Sequence, residues 1–325
     1  MEFRELQLSD RNIFERFLSL RKQHLSPYHF ANIYIWRELF RIFYAILDGH
    51  LCIFFKDKIG CFMYLPPQGN MPDTSLLNRC FAIMDEFNEN KDISRIENIE
   101  DKDIVFYRKM GYAHFTKPGD YLCAREDIAS LKGNRYKSKR ASYNYFIKHY
   151  DFEFRPFLGK DTDACLALYR RWAEERKGKF ADSFYQDMLE DCFSSHKLAM
   201  ENFTHLGLVG YVVKIRGKIA GYTFGFPLNS ETFCILFEIC NLSYRGISQF
   251  IFSQFCRQIS DYQYINIMDD SGLENLSKVK LSYRPIRIVP NCIIKRSKLT
   301  NNRDASCTNR RTVPASIEEV SPHRI

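Results

Sequence analysis

The chain has no long hydrophobic run. Its longest apolar stretches, residues 42–47 and 51–55, are interrupted by Asp48 and His50, whereas a helix that spans a bilayer needs about 20 apolar residues. Residues 1–5 carry acidic side chains and lack the apolar core of an export signal. We therefore expect a cytoplasmic protein with no transmembrane helix, able to lie peripherally at the inner membrane surface.

The cysteines follow neither a metal-site nor a disulfide pattern. Their number, eleven, is odd, and no two of them are separated by two residues. Most lie in apolar periodic segments, where a thiol is a small core residue. Because no histidine follows at zinc-site spacing either, we expect reduced cysteines and no metal. Local sequence also supports no Ser-His-Asp or Cys-His arrangement, which disfavours a covalent intermediate.

Residues 131–150 contain no acidic residue, and the whole chain carries a formal net charge of +8. The cations of this segment are Lys132, Arg135, Lys137, Lys139, Arg140 and Lys148. On a helix, one face would carry Tyr136, Tyr143, Ile147 and Tyr150. Such a helix can pack and still attract the phosphates of a tRNA acceptor stem, an anionic lipid headgroup or CoA. The alternative is a solvated helix face without a partner.

The second half of the chain has the pattern of a hairpin, a third strand and a helix. Residues 206–215 and 219–227 are apolar and flank a turn at residues 216–218, and residues 231–240 alternate as a third strand. After Ser243 the apolar period becomes helical. The turn before this helix reads Tyr244, Arg245, Gly246, Ile247 and Ser248. Unpaired N–H groups at a helix start bind phosphate, so these five residues are the predicted donor site; the alternative is a tight turn only.

The first half repeats this order of elements. Helix, three-strand meander (42–47, 51–56, 60–65), helix, short strand, helix and a strand at 121–123 are predicted in turn. Its meander is followed by a segment with three prolines, Pro66, Pro67 and Pro72, which cannot present a row of N–H donors. We therefore assign the donor to the second half alone. The predicted domains are 1–125, a basic helix at 126–150, 151–296, and a disordered tail at 297–325.

Few residues are candidates for catalysis. Glu238 lies among apolar residues of the strand before the turn, where burial would raise its pKa to suit a base; a salt bridge across the sheet is the alternative. Asp269 and Asp270 close the next predicted strand and could hold an amine, although Asp270 or Ser271 is also the natural N-cap of a helix starting at Gly272.

Cations and a tyrosine follow this acidic pair. Lys278, Lys280, Tyr283 and Arg284 could bind phosphate or protonate a leaving group, and the alternative places the lysines in water. From the basic segment, Arg135, Lys139 and Arg140 are the predicted substrate contacts.

Residues 264–285 resemble the signature of the phosphatidylglycerol lysyltransferase C-terminal domain family. In that family a strand ends in an acidic pair, a Gly-Leu-Glu helix start follows, and a Lys-Leu-Ser-Tyr-x-Pro run closes the element; here these are residues 269–270, 272–274 and 280–285. The 244–248 turn resembles a degenerate acyl-CoA pyrophosphate loop of the GNAT superfamily. The resemblance covers most of residues 1–296.

The resemblance implies an α/β (α+β) fold of two tandem GNAT-like lobes, each a mixed, mostly antiparallel sheet flanked by helices. It implies a transferase that moves an acyl or aminoacyl group from acyl-CoA or aminoacyl-tRNA to an amine or hydroxyl. The chain departs from the membrane-bound synthases in having no flippase-like membrane domain. The alternatives are an ordinary acyl-CoA N-acyltransferase and a non-catalytic protein that binds RNA or an anionic membrane.

Overall fold

One sheet of twelve strands runs through the part of the chain that the structure, a computed structural model, describes: residues 2–177 and 183–297. The strands are β1 (Arg4–Glu5), β2 (Arg41–Leu47), β3 (His50–Lys56), β4 (Cys61–Met63), β5 (Ile96–Glu100), β6 (Tyr112–Ala124), β7 (Phe152–Pro156), β8 (Val209–Ile215), β9 (Lys218–Pro227), β10 (Thr232–Cys240), β11 (Tyr264–Asn266) and β12 (Arg287–Arg296). Almost all of the predicted tail, residues 298–325, lies outside the described residues.

Helices flank this sheet. They are α1 (Arg11–Leu18), α2 (Phe30–Tyr34), α3 (Thr74–Phe87), α4 (Asp101–Lys109), α5 (Arg125–Ser130), α6 (Lys137–His149), α7 (Thr162–Lys177), α8 (Ser183–Glu201), α9 (Ile247–Gln258) and α10 (Glu274–Leu281). Short 3₁₀ segments cover Leu8–Asp10, Lys91–Ile93, Asn134–Tyr136 and Gly159–Asp161. Within the described ranges, we find no helix with the length and apolar character needed to cross a membrane.

Both halves contain a tight hairpin at the predicted place. Asp48 and Gly49, between β2 and β3, have φ of 49° and 78°, and Arg216 and Gly217, between β8 and β9, have φ of 50° and 75°. Two consecutive residues with positive φ are the geometry of two-residue hairpin turns, which matches the twist of the flanking strands. The turns therefore fix the register of both meanders.

The sheet order is β1-β2-β3-β4-β5-β12-β6-β11-β10-β9-β8-β7. In each half the last meander strand pairs in parallel with the strand that follows the next helix: β4 with β5 after α3, and β10 with β11 after α9. The predicted fold class is confirmed: two lobes of GNAT-like order, each mostly antiparallel and flanked by helices. The predicted domain boundaries stay predictions, and β12 of the second half lies between β5 and β6 of the first.

The longest pairing, between β6 and β12, was not foreseen from the sequence. It runs from Tyr112 opposite Arg296 to Leu122 opposite Arg287, whereas only residues 121–123 were predicted as a strand. Pro118 and Pro290 argue against a strand in the sequence, because proline has no N–H group to donate to the hydrogen bonds between strands. A register shift between Val289 and Asn291 accommodates Pro290.

The basic segment packs through α6 against α9. Phe146 and Phe250 have ring centroids 4.7 Å apart, and Tyr143 is also buried. Ile147, predicted for the buried face, is 44% exposed. The prediction was wrong because the face of α6 that packs on α9 runs through Tyr143 and Phe146, which leaves Ile147 at its edge.

The N-terminal segment connects the two halves. Lys22 forms an ion pair of 2.8 Å with Glu231, and Asn229 Nδ2 donates to the carbonyl of Gln23 at 2.8 Å. The His29 ring stacks on Phe226 with centroids 4.0 Å apart. These contacts lie at the turn between β9 and β10 and at the end of β9 that leads into it.

Candidate active site

The strands β10 and β11 separate part-way along β10. They pair only between residues 232–234 and 264–266, and residues 235–240 of β10 continue along β9 without pairing to β11. We call the space between residues 235–240 and the segment 267–272 that follows β11 the β10–β11 gap. A register shift between Ile235 and Phe237 directs Phe237 toward the α7–α8 side, and Glu238 then lies on the α9 side with Cys240.

Glu238 has an unpaired carboxylate oxygen at this gap. Its Oε2 is buried and has no hydrogen-bonding partner among the described residues. Burial raises the pKa of Glu238 to about 8, because the charged carboxylate is poorly solvated there. No described cation forms an ion pair with it, so the salt-bridge alternative finds no support in this part of the chain.

Tyr283 lies near Glu238, and Lys139 lies over the Tyr283 ring. Tyr283, just after α10, is buried and packs edge-on against Phe252 at 4.7 Å. Burial and the nearby charge of Glu238 raise the pKa of Tyr283, while a hydrogen bond with Gln249 acts in the opposite direction. The Lys139 ammonium lies 4.1 Å from the centre of the Tyr283 ring, and burial lowers the pKa of Lys139. The structure thus places Tyr283 near Glu238 and Lys139 on the Tyr283 ring, whereas the sequence nominated the three residues separately.

The acidic pair lies across the gap, after β11. Asp269 accepts a hydrogen bond from the Ser271 amide at 2.7 Å, and Asp270 accepts from the Gly272 amide at 3.0 Å. The prediction that Asp270 or Ser271 is the N-cap of a helix starting at Gly272 was wrong. These two turns delay the start of α10 to Glu274, and Leu273 is its N-cap.

Asp270 is further engaged by Tyr121, whose hydroxyl donates to it at 2.6 Å. Burial opposes ionisation of Asp270, but the hydrogen bonds from Tyr121 and Gly272 hold its pKa below the usual value. Lys280 donates to the backbone carbonyls of Ile267, at 2.6 Å, and Asp269. Burial lowers the pKa of Lys280, against the charges of neighbouring aspartates.

Sequence reasoning missed Asp120 and Asn266. Asp120 is fully buried, and its Oδ2 accepts hydrogen bonds from the Ser26 amide at 2.6 Å and from Asn266 at 2.8 Å. Its Oδ1 has no partner within the described ranges, and burial together with the charge of Asp269 raises its pKa to about 6. The signal available in the sequence was an acid directly before the apolar run of Tyr121, Leu122 and Cys123.

The 244–248 turn is covered by α6. A Cβ at Gly246 would lie 2.1 Å from the Ser142 carbonyl oxygen. The Arg245 amide donates to the Tyr150 hydroxyl at 3.2 Å, and the Ile247 amide donates to the Tyr244 carbonyl at 3.2 Å. Gly246, with φ of 88°, therefore admits the backbone of α6 where a ligand was expected. The predicted donor role of residues 244–248 stays a prediction.

Comparison with known families shows which family the chain belongs to. The family model for the C-terminal domain of phosphatidylglycerol lysyltransferase matches residues 18–294. The chain belongs to this family. The match includes both halves of the sheet and every strand that borders the β10–β11 gap.

Similar proteins extend this assignment. A conserved protein of unknown function from Bacteroides thetaiotaomicron superposes with a TM-score of 0.81 at 26% identity, covering 90% of this chain and 99% of that one. L-PGS from Bacillus licheniformis has the same fold, with a TM-score of 0.58 at 19% identity over 90% of this chain and 93% of that one. An uncharacterized protein of Mycoplasmoides gallisepticum is 26% identical over 180 residues, 54% of this chain and 56% of that protein, so the match spans little more than half of it.

In this family member, two of the predicted substrate cations have internal partners. Arg135 forms an ion pair with Asp127 at 2.5 Å, and Arg140 donates to the carbonyls of Leu131 at 2.5 Å and Gly133 at 3.1 Å. Both therefore support the entry to α6. The exposed cations of the segment without an ion-pair partner in the described ranges are Lys132, Lys137 and Lys148.

Two other predicted cations are exposed to solvent. Lys278 is exposed and pairs with Glu274 at 2.5 Å one helical turn away. Arg284 is exposed, with φ of 55°. Nothing in their contacts ties either residue to Glu238.

An aromatic stack lies on the outer side of α6. The rings of Tyr145 and His149 are 3.9 Å apart and nearly parallel. The Arg245 guanidinium lies 4.6 Å from the centre of the Tyr145 ring. Arg245 thus joins the turn to the basic surface of α6.

The chemistry of the gap is that of acids, a tyrosine and amines. Among the residues that the structure describes, no three His, Cys, Asp or Glu side chains converge as a metal site. A buried carboxyl with a raised pKa beside a protonated phenol suits proton transfer to and from a reacting group.

Proposed function

We propose that this family member transfers an aminoacyl group from aminoacyl-tRNA to a neutral amine or hydroxyl at the β10–β11 gap, with Glu238 as the general base. The observation that carries the proposal is the carboxyl group of Glu238, whose buried Oε2 has no partner among the residues that the structure describes and whose pKa is raised to about 8. A base whose pKa lies near the working pH is effective because it is both available and strong enough to accept a proton.

The proposed reaction begins when Glu238 accepts the proton of the acceptor's O–H or N–H group. The acceptor's lone pair then forms a bond to the ester carbonyl carbon of the donor. As the bond between that carbon and the tRNA ribose oxygen breaks, the ribose oxygen takes a proton from Tyr283, whose raised pKa keeps it protonated at neutral pH. Solvent carries the proton from Glu238 to Tyr283 and restores both groups.

The acidic and basic residues around this pair have proposed binding roles. Asp269, at the same gap, would bind a positively charged amine of the donor. Lys139, half-buried over the Tyr283 ring, would neutralise negative charge that develops on the departing oxygen.

Two observations favour aminoacyl-tRNA over acyl-CoA as the donor. The turn that would bind the diphosphate of CoA lies against α6 at Ser142, and three of its amides, those of Tyr244, Arg245 and Ile247, have partners. The exposed lysines of the basic segment and the stack of Arg245, Tyr145 and His149 suit the phosphates and bases of RNA. A cytoplasmic location, in peripheral contact with the inner membrane surface, is consistent with such a donor.

The test compares donors and variants. Purified protein is incubated with lysyl-tRNA or acetyl-CoA and with vesicles of phosphatidylglycerol or phosphatidylethanolamine, and products are detected by mass spectrometry. We expect product from lysyl-tRNA, and a loss of about 10²–10⁴-fold in rate for Glu238→Gln. Glu274→Gln, which removes an exposed carboxylate paired with Lys278, is the matched control and should retain activity.

Three outcomes would contradict the proposal. Equal rates for the wild type and Glu238→Gln would exclude Glu238 as the base. Product from acetyl-CoA alone would reverse the choice of donor. Salt-sensitive RNA binding with no product from any donor would favour a non-catalytic binding protein.

A further inference from the structure

A second unpartnered polar atom lies opposite Glu238. Thr223, on β9, is the direct cross-strand partner of Glu238 on β10. Its side chain is fully buried, and its Oγ1 has no hydrogen-bonding partner among the described residues. Directly opposed residues of antiparallel strands point to the same face, with Cβ atoms about 5 Å apart. Thr223 Oγ1 and Glu238 Oε2 are thus two adjacent polar atoms on one face of the sheet.

The neighbouring side chains in the described part of the chain form no hydrogen bond with either atom. On this face of β9 the neighbouring positions are Gly221 and Gly225, which have no side chains, and Cys240 lies next to Glu238 on β10. Tyr211, opposite Thr223 on β8, directs its hydroxyl to Gln258 at 3.5 Å. Buried hydroxyl and carboxyl groups are nearly always hydrogen-bonded, so an adjacent pair without partners requires an explanation. A ligand group that bonds to both atoms supplies one.

We propose that Thr223 and Glu238 form the subsite for the reacting O–H or N–H group of the acceptor. This inference rests on the proposed function, because it assigns a second residue to the site of the same reaction. A neutral hydroxyl or amine donates its hydrogen to the Glu238 carboxylate and accepts the Thr223 hydroxyl hydrogen on its lone pair. An ammonium group has no lone pair and leaves the Thr223 hydrogen unpaired. The subsite therefore selects the deprotonated, nucleophilic form of the acceptor.

Thr223 is accordingly a positioning residue. Its hydrogen bond orients the acceptor's lone pair toward the donor carbonyl while Glu238 takes the proton. A change at Thr223 should therefore affect the KM for the acceptor and the rate of transfer, and it should leave the KM for the donor unchanged.

Valine and serine at position 223 test this assignment. Thr223→Val keeps the shape of the side chain and removes the hydroxyl, and Thr223→Ser keeps the hydroxyl. With lysyl-tRNA as donor, we expect Thr223→Val to lower kcat/KM for the acceptor at least tenfold and Thr223→Ser to restore most of it. Phosphatidylglycerol and phosphatidylethanolamine vesicles serve as the hydroxyl and amine arms, and the arm with the larger loss identifies the acceptor group.

A stability measurement separates this role from a structural one. Because Thr223 Oγ1 has no partner in the described ranges, Thr223→Val should melt at the same temperature as the wild type or higher. A structural role predicts instead a lower melting temperature in step with the loss of activity, which would overturn the proposal.

Activity outcomes distinguish the two proposals. Unchanged kinetics in Thr223→Val, with Glu238→Gln inactive, would overturn the subsite and leave the proposed function intact. Full activity in Glu238→Gln, or no transfer by the wild type to either lipid, would overturn both.

Discussion

Replacing Glu238 with Gln should change how the stability of the protein depends on pH. Burial raises the pKa of this carboxyl from its ordinary value of 4.5 to about 8. In the unfolded chain the group loses its proton above about pH 4.5, whereas the folded protein keeps it until about pH 8. The folded state therefore binds more protons in this window, and the free energy of unfolding falls as the pH rises through it.

The size of the effect follows from the same values. A tenfold change in proton affinity corresponds to about 1.4 kcal/mol, so the contribution of Glu238 falls by up to roughly 5 kcal/mol between pH 4.5 and pH 8. Water that reaches the partly exposed side chain would make the fall smaller. Gln cannot ionise, so Glu238→Gln should lack this fall, although its unpaired amide adds a cost that does not vary with pH.

Urea unfolding at a series of pH values from 5 to 9 measures this difference. We expect the stability of the variant relative to the wild type to rise steadily with pH and to level off above about pH 8. Asp120, whose pKa is raised to about 6, contributes to both proteins and cancels in the comparison. Glu274→Gln serves as the control, and its curve should parallel that of the wild type. Parallel curves for Glu238→Gln would refute the assignment of a buried, protonated carboxyl.

Further predictions follow from the contacts around the site. Gly246→Ala should lower the free energy of unfolding by more than about 2 kcal/mol in urea unfolding, because it combines a positive φ with the clash at Ser142. Gly217→Ala, with open space around a similar φ, should lower it by about 1 kcal/mol only, and equal effects would contradict the packing of α6 on the turn. Asn266→Ala removes hydrogen bonds to the His24 carbonyl and to Asp120, and should lower it by about 2–4 kcal/mol; less than 1 kcal/mol would mean that this buried network adds little. Alanine substitution of the three exposed lysines of the basic segment, Lys132, Lys137 and Lys148, should reduce the slope of log affinity for tRNA against log salt concentration by about 2–3. An unchanged slope would mean that RNA binds elsewhere.

Features that depend on residues close together in the sequence could be predicted. Both hairpins were predicted at their observed turns, because Asp48-Gly49 and Arg216-Gly217 supply the positive φ that two-residue turns need. The family was also predicted, from the run that ends at Pro285, and the model match over residues 18–294 confirms it.

The parts that depend on distant contacts were not predictable. The pairing of β6 with β12 joins residues far apart in sequence and passes through prolines 118 and 290. The position of α6 over Gly246 also depends on tertiary packing, so a turn that reads as open in the sequence is covered in the fold. The sequence indicated the acid Glu238, but its neighbour Thr223 became apparent only once the strand register was known.

The pH dependence of aminoacyl transfer tests the central role of Glu238 most directly. With lysyl-tRNA as donor, and after subtraction of spontaneous hydrolysis, kcat/KM of the wild type should rise with pH to a plateau, with a midpoint near the pKa of about 8. Glu238→Gln should be about 10²–10⁴-fold slower and should lack this limb. A variant with the same rate and the same pH profile as the wild type would contradict the account.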